Sequence, residues 1–184
     1  QTELEGEVRQ TVELLADQSV FISKSIAEVK DNAISGAIIA VIGVDIDGDC
    51  DDDVVVVSSG APPAIWRRDG KTFTFDGELG TEPVSAIAAG DVDRDTAVDL
   101  ITGRANNLTL WRNNGTGTFA PDANGALVAG SRAPQVSALA LGDVNGDGNP
   151  DLIVGQSGMP LGAWLAELGG TGDFRPNDAV VPAV

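Results

Sequence analysis

The segment GDVNGDGNPDLIVG, residues 142–155, decides the fold, because two other segments of the chain repeat its pattern. GDVDRDTAVDLITG occupies residues 90–103, and GVDIDGDCDDDVVVV occupies residues 43–57. The first repeated aspartates are Asp45, Asp91 and Asp143, so the spacings are 46 and 52 residues. A repeat of this length predicts an array of similar structural units.

The repeat extends well beyond its acidic segment. A tryptophan follows each first aspartate after 20 or 21 residues, at Trp66, Trp111 and Trp164, and a phenylalanine follows each tryptophan. Short apolar runs separated by Gly, Asp and Asn divide each unit into four strand candidates. Four strands per unit predict an all-β fold of four-stranded antiparallel β-propeller-type blades.

The repeat also predicts the domain organisation. We assign the three blades to residues 36–80, 84–130 and 135–184, so that the repeat region spans 36–184. Residues 1–35 lack the acidic segment, and we expect them to form an N-terminal arm or a degenerate fourth blade.

Each acidic segment has the donor pattern of a calcium loop, with oxygen-bearing side chains at positions 1, 3, 5 and 9. Calcium takes about six to eight oxygen ligands, commonly carboxylates that alternate along a loop, together with a backbone carbonyl and water. We therefore predict up to three Ca²⁺ ions, each also bound by the backbone carbonyl of position 7. Site one comprises Asp45, Asp47, Asp49, Asp51 and Asp53; site two comprises Asp91, Asp93, Asp95, Ala97 and Asp99; site three comprises Asp143, Asn145, Asp147, Asn149 and Asp151.

An EF-hand and simple turn capping both account less well for these loops. An EF-hand needs a glutamate at position 12 and flanking helices, whereas position 12 is Val56, Thr102 or Val154 and the flanks are strand-like. In the turn-capping alternative, the aspartates only accept backbone hydrogen bonds within turns. Four or more acidic groups crowded into one loop repel one another without a cation, and the crowding recurs, which favours metal binding.

Position 6 differs among the loops: it is Gly148 in the third but Cys50 and Thr96 in the others. A left-handed backbone at this position would strain both non-glycine residues. We therefore expect the first two loops to be weaker or reshaped. Cys50 is the only cysteine of the chain, and we interpret it as a tolerated small residue.

Charge and composition exclude several classes of function. The formal charge is −17, so nucleic acid and anionic membranes are repelled overall. The apolar run 37–44 is far shorter than the roughly 18 residues of a membrane span, and it predicts a buried strand. The chain has no histidine, no tyrosine and no cysteine pair, which removes the commonest catalytic bases and most nucleophile arrangements. We expect no enzyme.

The repeated tryptophans allow two interpretations. Trp66, Trp111 and Trp164 could pack between blades, as third-strand residues. Alternatively they are ligand-stacking platforms for glycans, with Arg67 and Arg112 supplying polar contacts. The alternative function is therefore a carbohydrate-binding module.

The chain resembles the FG-GAP and VCBS repeat family, whose blades also occur in integrin α-subunit propellers and in some fungal propeller lectins. The resemblance covers about residues 36–184 and rests on DIDGDCDDD, DVDRDTAVD and DVNGDGNPD, with the segment WRNNG at 111–115. It implies four-stranded blades, calcium in the loop between the first two strands, and roles in adhesion, recognition or scaffolding. It also implies a secreted, extracellular or periplasmic location.

The blade number departs from the family pattern. Closed propellers of this family usually have about seven blades, and three blades do not easily close a ring. We expect a partial propeller, a fragment of a larger one, or one that oligomerisation completes. Of these, we favour other protein chains or self-association covering the open blade faces.

Overall fold

The computed structural model describes residues 38–105, 107–122, 136–156, 162–166 and 174–176. In this part of the chain all regular secondary structure is β, and it forms three separate four-stranded antiparallel sheets. The predicted fold class is therefore confirmed. Residues 1–35, expected to form an arm or a degenerate blade, lie outside the described residues.

Each sheet is one blade, and its hydrogen-bonded strand order follows the chain order. The acidic loops connect the first strand of each blade to the second, so all three occupy the same place in the repeat. Blade 1 contains β1 (Ile38–Val44), β2 (Asp53–Ser58), β3 (Ala64–Asp69) and β4 (Thr72–Glu78). Blade 2 contains β5 (Ala86–Gly90), β6 (Asp99–Arg104), β7 (Asn107–Asn113) and β8 (Phe119–Pro121). Blade 3 contains β9 (Val136–Gly142), β10 (Asp151–Gln156), β11 (Gly162–Ala166) and β12 (Phe174–Pro176).

Blade 2 is buried on both faces, because blade 1 packs on one side and blade 3 on the other. Successive side chains of β6 point to opposite faces, so Leu100 joins the core with blade 1 and Ile101 joins the core with blade 3. The first core is built on Val55 and Val57 of β2, and the second includes Leu152 of β10. The hydrophobic cores of this protein thus lie between blades.

The approach of blades 2 and 3 depends on one glycine of β6. A Cβ atom at Gly103 would overlap Cγ1 of Val136, far inside van der Waals contact. Blade 1 does not need a glycine here, because its equivalent residue is Val57, which is fully buried. The requirement is therefore local to the contact between blades 2 and 3.

The outer faces of blades 1 and 3 expose residues whose equivalents are covered in blade 2. At loop position 2, Ile46 and Val92 are each 1% exposed beneath the next blade, whereas Val144 of blade 3 is 45% exposed. On the opposite face, Trp66 is 37% exposed and meets the exposed Phe75 edge to face, with ring centroids 5.4 Å apart. Each end of the described stack therefore presents apolar surface.

The first strand is less buried than the sequence predicted. Val41 is 53% exposed, because side chains alternate along β1 and only one face of blade 1 packs against blade 2. The described residues include no helix with the length and apolar character that crossing a membrane requires.

Candidate metal centre

The three acidic loops share one internal hydrogen-bond scaffold, which starts from the position 1 carboxylate. In loop one, Gly48 and Cys50 donate their backbone N–H groups to Asp45, at 2.8 and 3.0 Å. In loop three, Gly146 and Gly148 donate to Asp143 at 2.7 and 2.8 Å. Asp91 of loop two accepts the equivalent position 6 bond from Thr96 at 3.1 Å.

This scaffold requires left-handed backbone at positions 4 and 6. Position 6 has φ values of 72° at Cys50, 75° at Thr96 and 81° at Gly148. Of the expectation that the first two loops are weaker or reshaped, the structure contradicts the reshaping at position 6, because Cys50 and Thr96 adopt the same left-handed conformation as Gly148 despite its strain. The strength of the two sites stays a prediction. Position 4 also requires left-handed backbone, and Arg94 adopts it with a φ of 66°.

The position 5 carboxylate turns each loop back on itself. Asp49, Asp95 and Asp147 each accept the backbone N–H of the residue two positions later, at 2.8 Å in all three loops. In loop three this bond lowers the pKa of Asp147, assisted by the Asn145 side chain. Side-chain oxygens therefore set the curvature of each loop, and in loop one this curvature brings the carboxylates of positions 1, 3 and 5 together.

The position 9 aspartates close the loops from inside the protein. Asp53, Asp99 and Asp151 are fully buried at the start of each second strand. Each carboxylate accepts the backbone N–H of position 2, at 3.1 Å from Ile46 in loop one, 3.3 Å in loop two and 3.0 Å in loop three. The second oxygen of Asp53 accepts a backbone N–H from β3 at 2.7 Å, and that of Asp99 accepts one from β7 at 2.8 Å.

Burial makes ionisation of Asp53 and Asp99 costly. Desolvation raises the pKa of Asp99 to about 6, although the backbone N–H donors partly offset the rise. The charge of Asp93 contributes to this raised pKa. Desolvation likewise raises the pKa of Asp53 above its ordinary value. A cation placed among these carboxylates would favour their ionised forms.

Position 3 has a partner that the sequence analysis did not assign. Arg67 donates from Nη1 to Asp47 Oδ2 at 2.6 Å and from Nε to Asp76 at 2.9 Å. In blade 2, Arg112 makes the equivalent bond to Asp93 at 2.5 Å. Burial alone would lower the pKa of Arg67, but its carboxylate partners raise it.

Loop three replaces both members of this pair with neutral residues. Position 3 is Asn145, and the residue after the third tryptophan is Leu165 instead of arginine. Asn145 donates its amide to Asp147 at 2.9 Å. Arginine therefore accompanies aspartate at position 3 within this chain, and a comparison of the three repeats could have identified the pair.

The structure gathers some of the predicted ligand atoms and not others. Single carboxylate oxygens of Asp45, Asp47 and Asp49 lie within 4.8 Å of one another. In loop two the corresponding group is Asp91, Asp93 and Asp99. No group of three acidic side chains is this close in loop three, whose residues are all described.

Position 7 was expected to contribute only its backbone carbonyl. The Asp51 carboxylate accepts the N–H of Gly70 at 2.7 Å, so it serves the β3–β4 turn. Ala97 has no side-chain donor atom. Asn149 is 3% exposed, and its Oδ1 is a buried side-chain oxygen without a hydrogen-bond partner. Such an atom is normally satisfied by water or an ion.

The donor set fits a hard cation, because it consists of carboxylate, amide and carbonyl oxygens. Cys50 is exposed and free. Of the three tryptophans, Trp111 packs in the core between blades 1 and 2, and its Nε1 donates to Thr102 at 2.9 Å. Trp66 is exposed, and the side chain of Trp164 lies outside the described residues.

Comparison with known proteins adds the family. The model for the FG-GAP-like repeat matches residues 45–102 and again residues 91–154. Each match runs from one acidic loop into the second strand of the next blade, and together they cover more than half of the chain. No curated protein matches the chain significantly. The chain belongs to the FG-GAP-like repeat family, as an array of β-propeller-type blades.

Proposed function

We propose that this protein is a non-catalytic calcium-binding module, which acts outside the cytoplasm by binding other protein chains. One observation carries the metal part of the proposal. Loops one and two each bring three carboxylate oxygens within 4.8 Å of one another, on a scaffold of backbone hydrogen bonds that all three loops repeat. Carboxylates at this separation repel one another, the arginine that pairs with position 3 offsets this for one member of each group, and a cation among all three would relieve the remainder.

The donor chemistry favours calcium over zinc and magnesium. Zinc sites use histidine and cysteine, and the chain has no histidine and a single cysteine. Magnesium requires near-ideal octahedral geometry and keeps several waters, whereas calcium tolerates irregular oxygen shells. Extracellular calcium modules bind in the range of about 10⁻⁴–10⁻³ M, and the proposed location requires an affinity in this range.

Thermal unfolding tests the metal. Calcium binds the folded loops and not the unfolded chain, so the unfolding temperature should rise with calcium concentration and fall in chelator. Magnesium at the same concentration is the control and should have a smaller effect. Equal unfolding temperatures in calcium, magnesium and chelator would remove calcium from the proposal.

The partner part of the proposal is supported by the open faces of blades 1 and 3. Blade 2 uses Leu100 and Trp111 to pack against blade 1, and the equivalent residues on the outer face of blade 1 are Val54 and Trp66. That face therefore has the side chains of a blade-packing surface. We propose that it binds another protein chain, or a second copy of this one.

Self-association is tested by sedimentation across a range of protein concentrations with calcium present. Replacement of Trp66 by a polar residue should shift any oligomer towards monomer. A monomer at all concentrations would leave a different protein chain as the partner. It would be sought by purification from the native source in calcium, with elution by chelator.

A carbohydrate ligand is the second candidate, and one observation favours it. The edge-to-face pair of Trp66 and Phe75 exposes aromatic surface on which a sugar could stack. Titration with glycans while following tryptophan fluorescence separates the two functions, because a protein interface needs no glycan. A glycan-dependent change that Trp66→Ala abolishes would support the lectin function.

A further inference from the structure

The β7–β8 turn of blade 2, residues 113–118, contacts the metal loop of blade 1 as well as its own. Asn113 begins this turn and is 4% exposed. Its Nδ2 donates to the carbonyl of Ile46 in loop one at 2.7 Å and to the carbonyl of Val98 in loop two at 3.0 Å. One buried amide thus joins two loops that belong to different blades.

These bonds continue to the closing aspartate of each loop. Ile46, whose carbonyl accepts from Asn113, donates its N–H to Asp53 Oδ2 at 3.1 Å. In the other direction, the backbone N–H of Asn113 donates to Asp99 Oδ1 at 2.8 Å. Asp53 and Asp99 are fully buried, so water does not compete for these bonds.

The same turn is also tied to loop one at its far end. Arg67, which holds Asp47, donates from Nη2 to the carbonyl of Gly117 at 2.8 Å and from Nη1 to that of Thr116 at 3.3 Å. The contact is tight, because a Cβ atom at Gly117 would overlap the guanidinium. Position 3 of loop one is therefore connected to blade 2 through a single side chain.

The Asn113 side chain also stabilises the turn itself. Its Oδ1 accepts the N–H groups of Gly115 and Gly117, at 3.1 and 3.0 Å. A displacement of loop one that moves the Ile46 carbonyl would consequently move the turn and the N–H that Asp99 accepts. In the same way, a displacement of Asp99 in loop two would move the turn and the Ile46 carbonyl of loop one.

We propose that this turn couples the first two metal sites, so that calcium at site one strengthens calcium binding at site two, and the reverse. The inference rests on the proposed calcium binding. A cation at site one fixes Asp47 and the closing aspartate Asp53, and thereby fixes the atoms against which the turn of blade 2 packs. The ordered turn then holds Asp99 ready for the second ion. Coupling between binding sites is necessarily reciprocal.

The bridging amide occurs at one place in the three repeats. The residue two positions after the tryptophan is Asn113 in blade 2, but Arg68 in blade 1 and Ala166 in blade 3. Alanine has no side-chain donor, so the third blade cannot form this bridge to loop two. The Asn113 bridge is thus specific to the pair formed by sites one and two.

A thermodynamic cycle tests the coupling. Asp49→Ala removes one ligand side chain of site one and leaves the atoms of the bridge in place, and Asn113→Ala removes the bridge. Calcium affinity at site two is followed in both variants, their combination and the parent protein through the NMR signals of the Thr96 and Ala97 amides. With Asn113 present, loss of site one should weaken site two by about fivefold or more. With Asn113→Ala, the factor should fall towards one, because only the Arg67 contact then joins loop one to the turn.

Two further variants keep the test decisive. Thr118→Ala is the matched control, because Thr118 is exposed in the same turn and bonds to Asn114 through its backbone N–H and carbonyl; it should preserve the coupling. Arg67→Leu copies the residue of blade 3 and should reduce the coupling, and it replaces Asn113→Ala if that variant fails to fold.

The outcomes separate the inference from the proposed function. If site two binds calcium equally well in the parent protein and in the site-one variant, the coupling is overturned and calcium binding is left standing. A factor that is the same with and without Asn113 overturns the role of the turn. Absence of any calcium-dependent shift in all loops of the parent protein refutes the proposed function, and the coupling with it.

Discussion

Thr96 is a β-branched residue held at a φ of 75°, and its replacement by glycine should stabilise the protein. Left-handed backbone costs a non-glycine residue about 1–2 kcal/mol. Glycine avoids this cost but loses about 0.5–1 kcal/mol through the greater freedom of the unfolded chain. Thr96→Gly should therefore raise the free energy of unfolding by about 0.5–1 kcal/mol.

The natural glycine at the same position of loop three provides the reverse experiment. Gly148 has a φ of 81°, and a Cβ atom there would make only an ordinary contact, 3.5 Å from Arg94. Gly148→Thr should thus lower the free energy of unfolding by a similar amount, through backbone strain and not through a clash.

Urea denaturation of both variants, in chelator and again in millimolar calcium, measures these changes. Thr74→Gly in β4 is the control, because this exposed strand residue has no positive φ and glycine there should only destabilise. If Thr96→Gly destabilises the protein as much as Thr74→Gly does, then position 6 is not strained and the account of the loops is incorrect.

Three further predictions follow from packing, burial and exposure. Gly103→Ala should lower the free energy of unfolding in urea by about 1–3 kcal/mol, because the new Cβ would overlap Val136; an unchanged value would mean that blades 2 and 3 pack less closely. The pKa of about 6 at Asp99 exceeds its unfolded value of about 4, so in calcium-free protein the stability from this group is present near pH 4 and is lost as the pH rises towards 6. Asp99→Asn should flatten that part of the pH profile of the urea midpoint, and an unaltered profile would contradict the assignment. Trp66→Ala should lower the unfolding free energy by about 1 kcal/mol, the scale of its aromatic pair with Phe75, whereas Trp111→Ala should cost about 3 kcal/mol; equal losses would show that the two tryptophans are equally packed.

The blades were predictable because the repeat supplies the same evidence three times. Each acidic loop marks the end of a first strand, and the apolar run after Asp53, Asp99 or Asp151 marks the second. The division into three four-stranded sheets follows from these signals. The exposure of Val41 was not predictable from the apolar run 37–44, because burial depends on which face of the sheet meets another blade.

The partners of the loop residues could be predicted only in part. The association of arginine with position 3 can be found by aligning the repeats, since the third repeat has Leu165 in place of the arginine and Asn145 in place of the aspartate. The bridge from Asn113 to the carbonyl of Ile46 could not be found in this way. It joins atoms 67 residues apart, one of them a backbone oxygen, and so depends on how two blades pack.

The sequence predicted backbone strain at Cys50 and Thr96, but it did not predict that both residues would adopt the left-handed conformation. The position 1 carboxylate accepts the N–H of position 6 in every loop, at 3.0 Å in loop one and 3.1 Å in loop two. These bonds hold both residues in left-handed backbone. The hydrogen-bond scaffold therefore prevails over the local preference, and the loops keep one shape.

Calcium binding is the central claim, and a titration of metal-free protein followed by the amide NMR signals of all three loops tests it most directly. The account predicts saturable shifts at positions 4 to 7 of loops one and two, at calcium concentrations of about 10⁻³ M or below. Asp49→Ala should weaken or remove the loop-one response and leave a response in loop two. Loop signals that do not move up to millimolar calcium, in a protein shown to be folded, would contradict the claim.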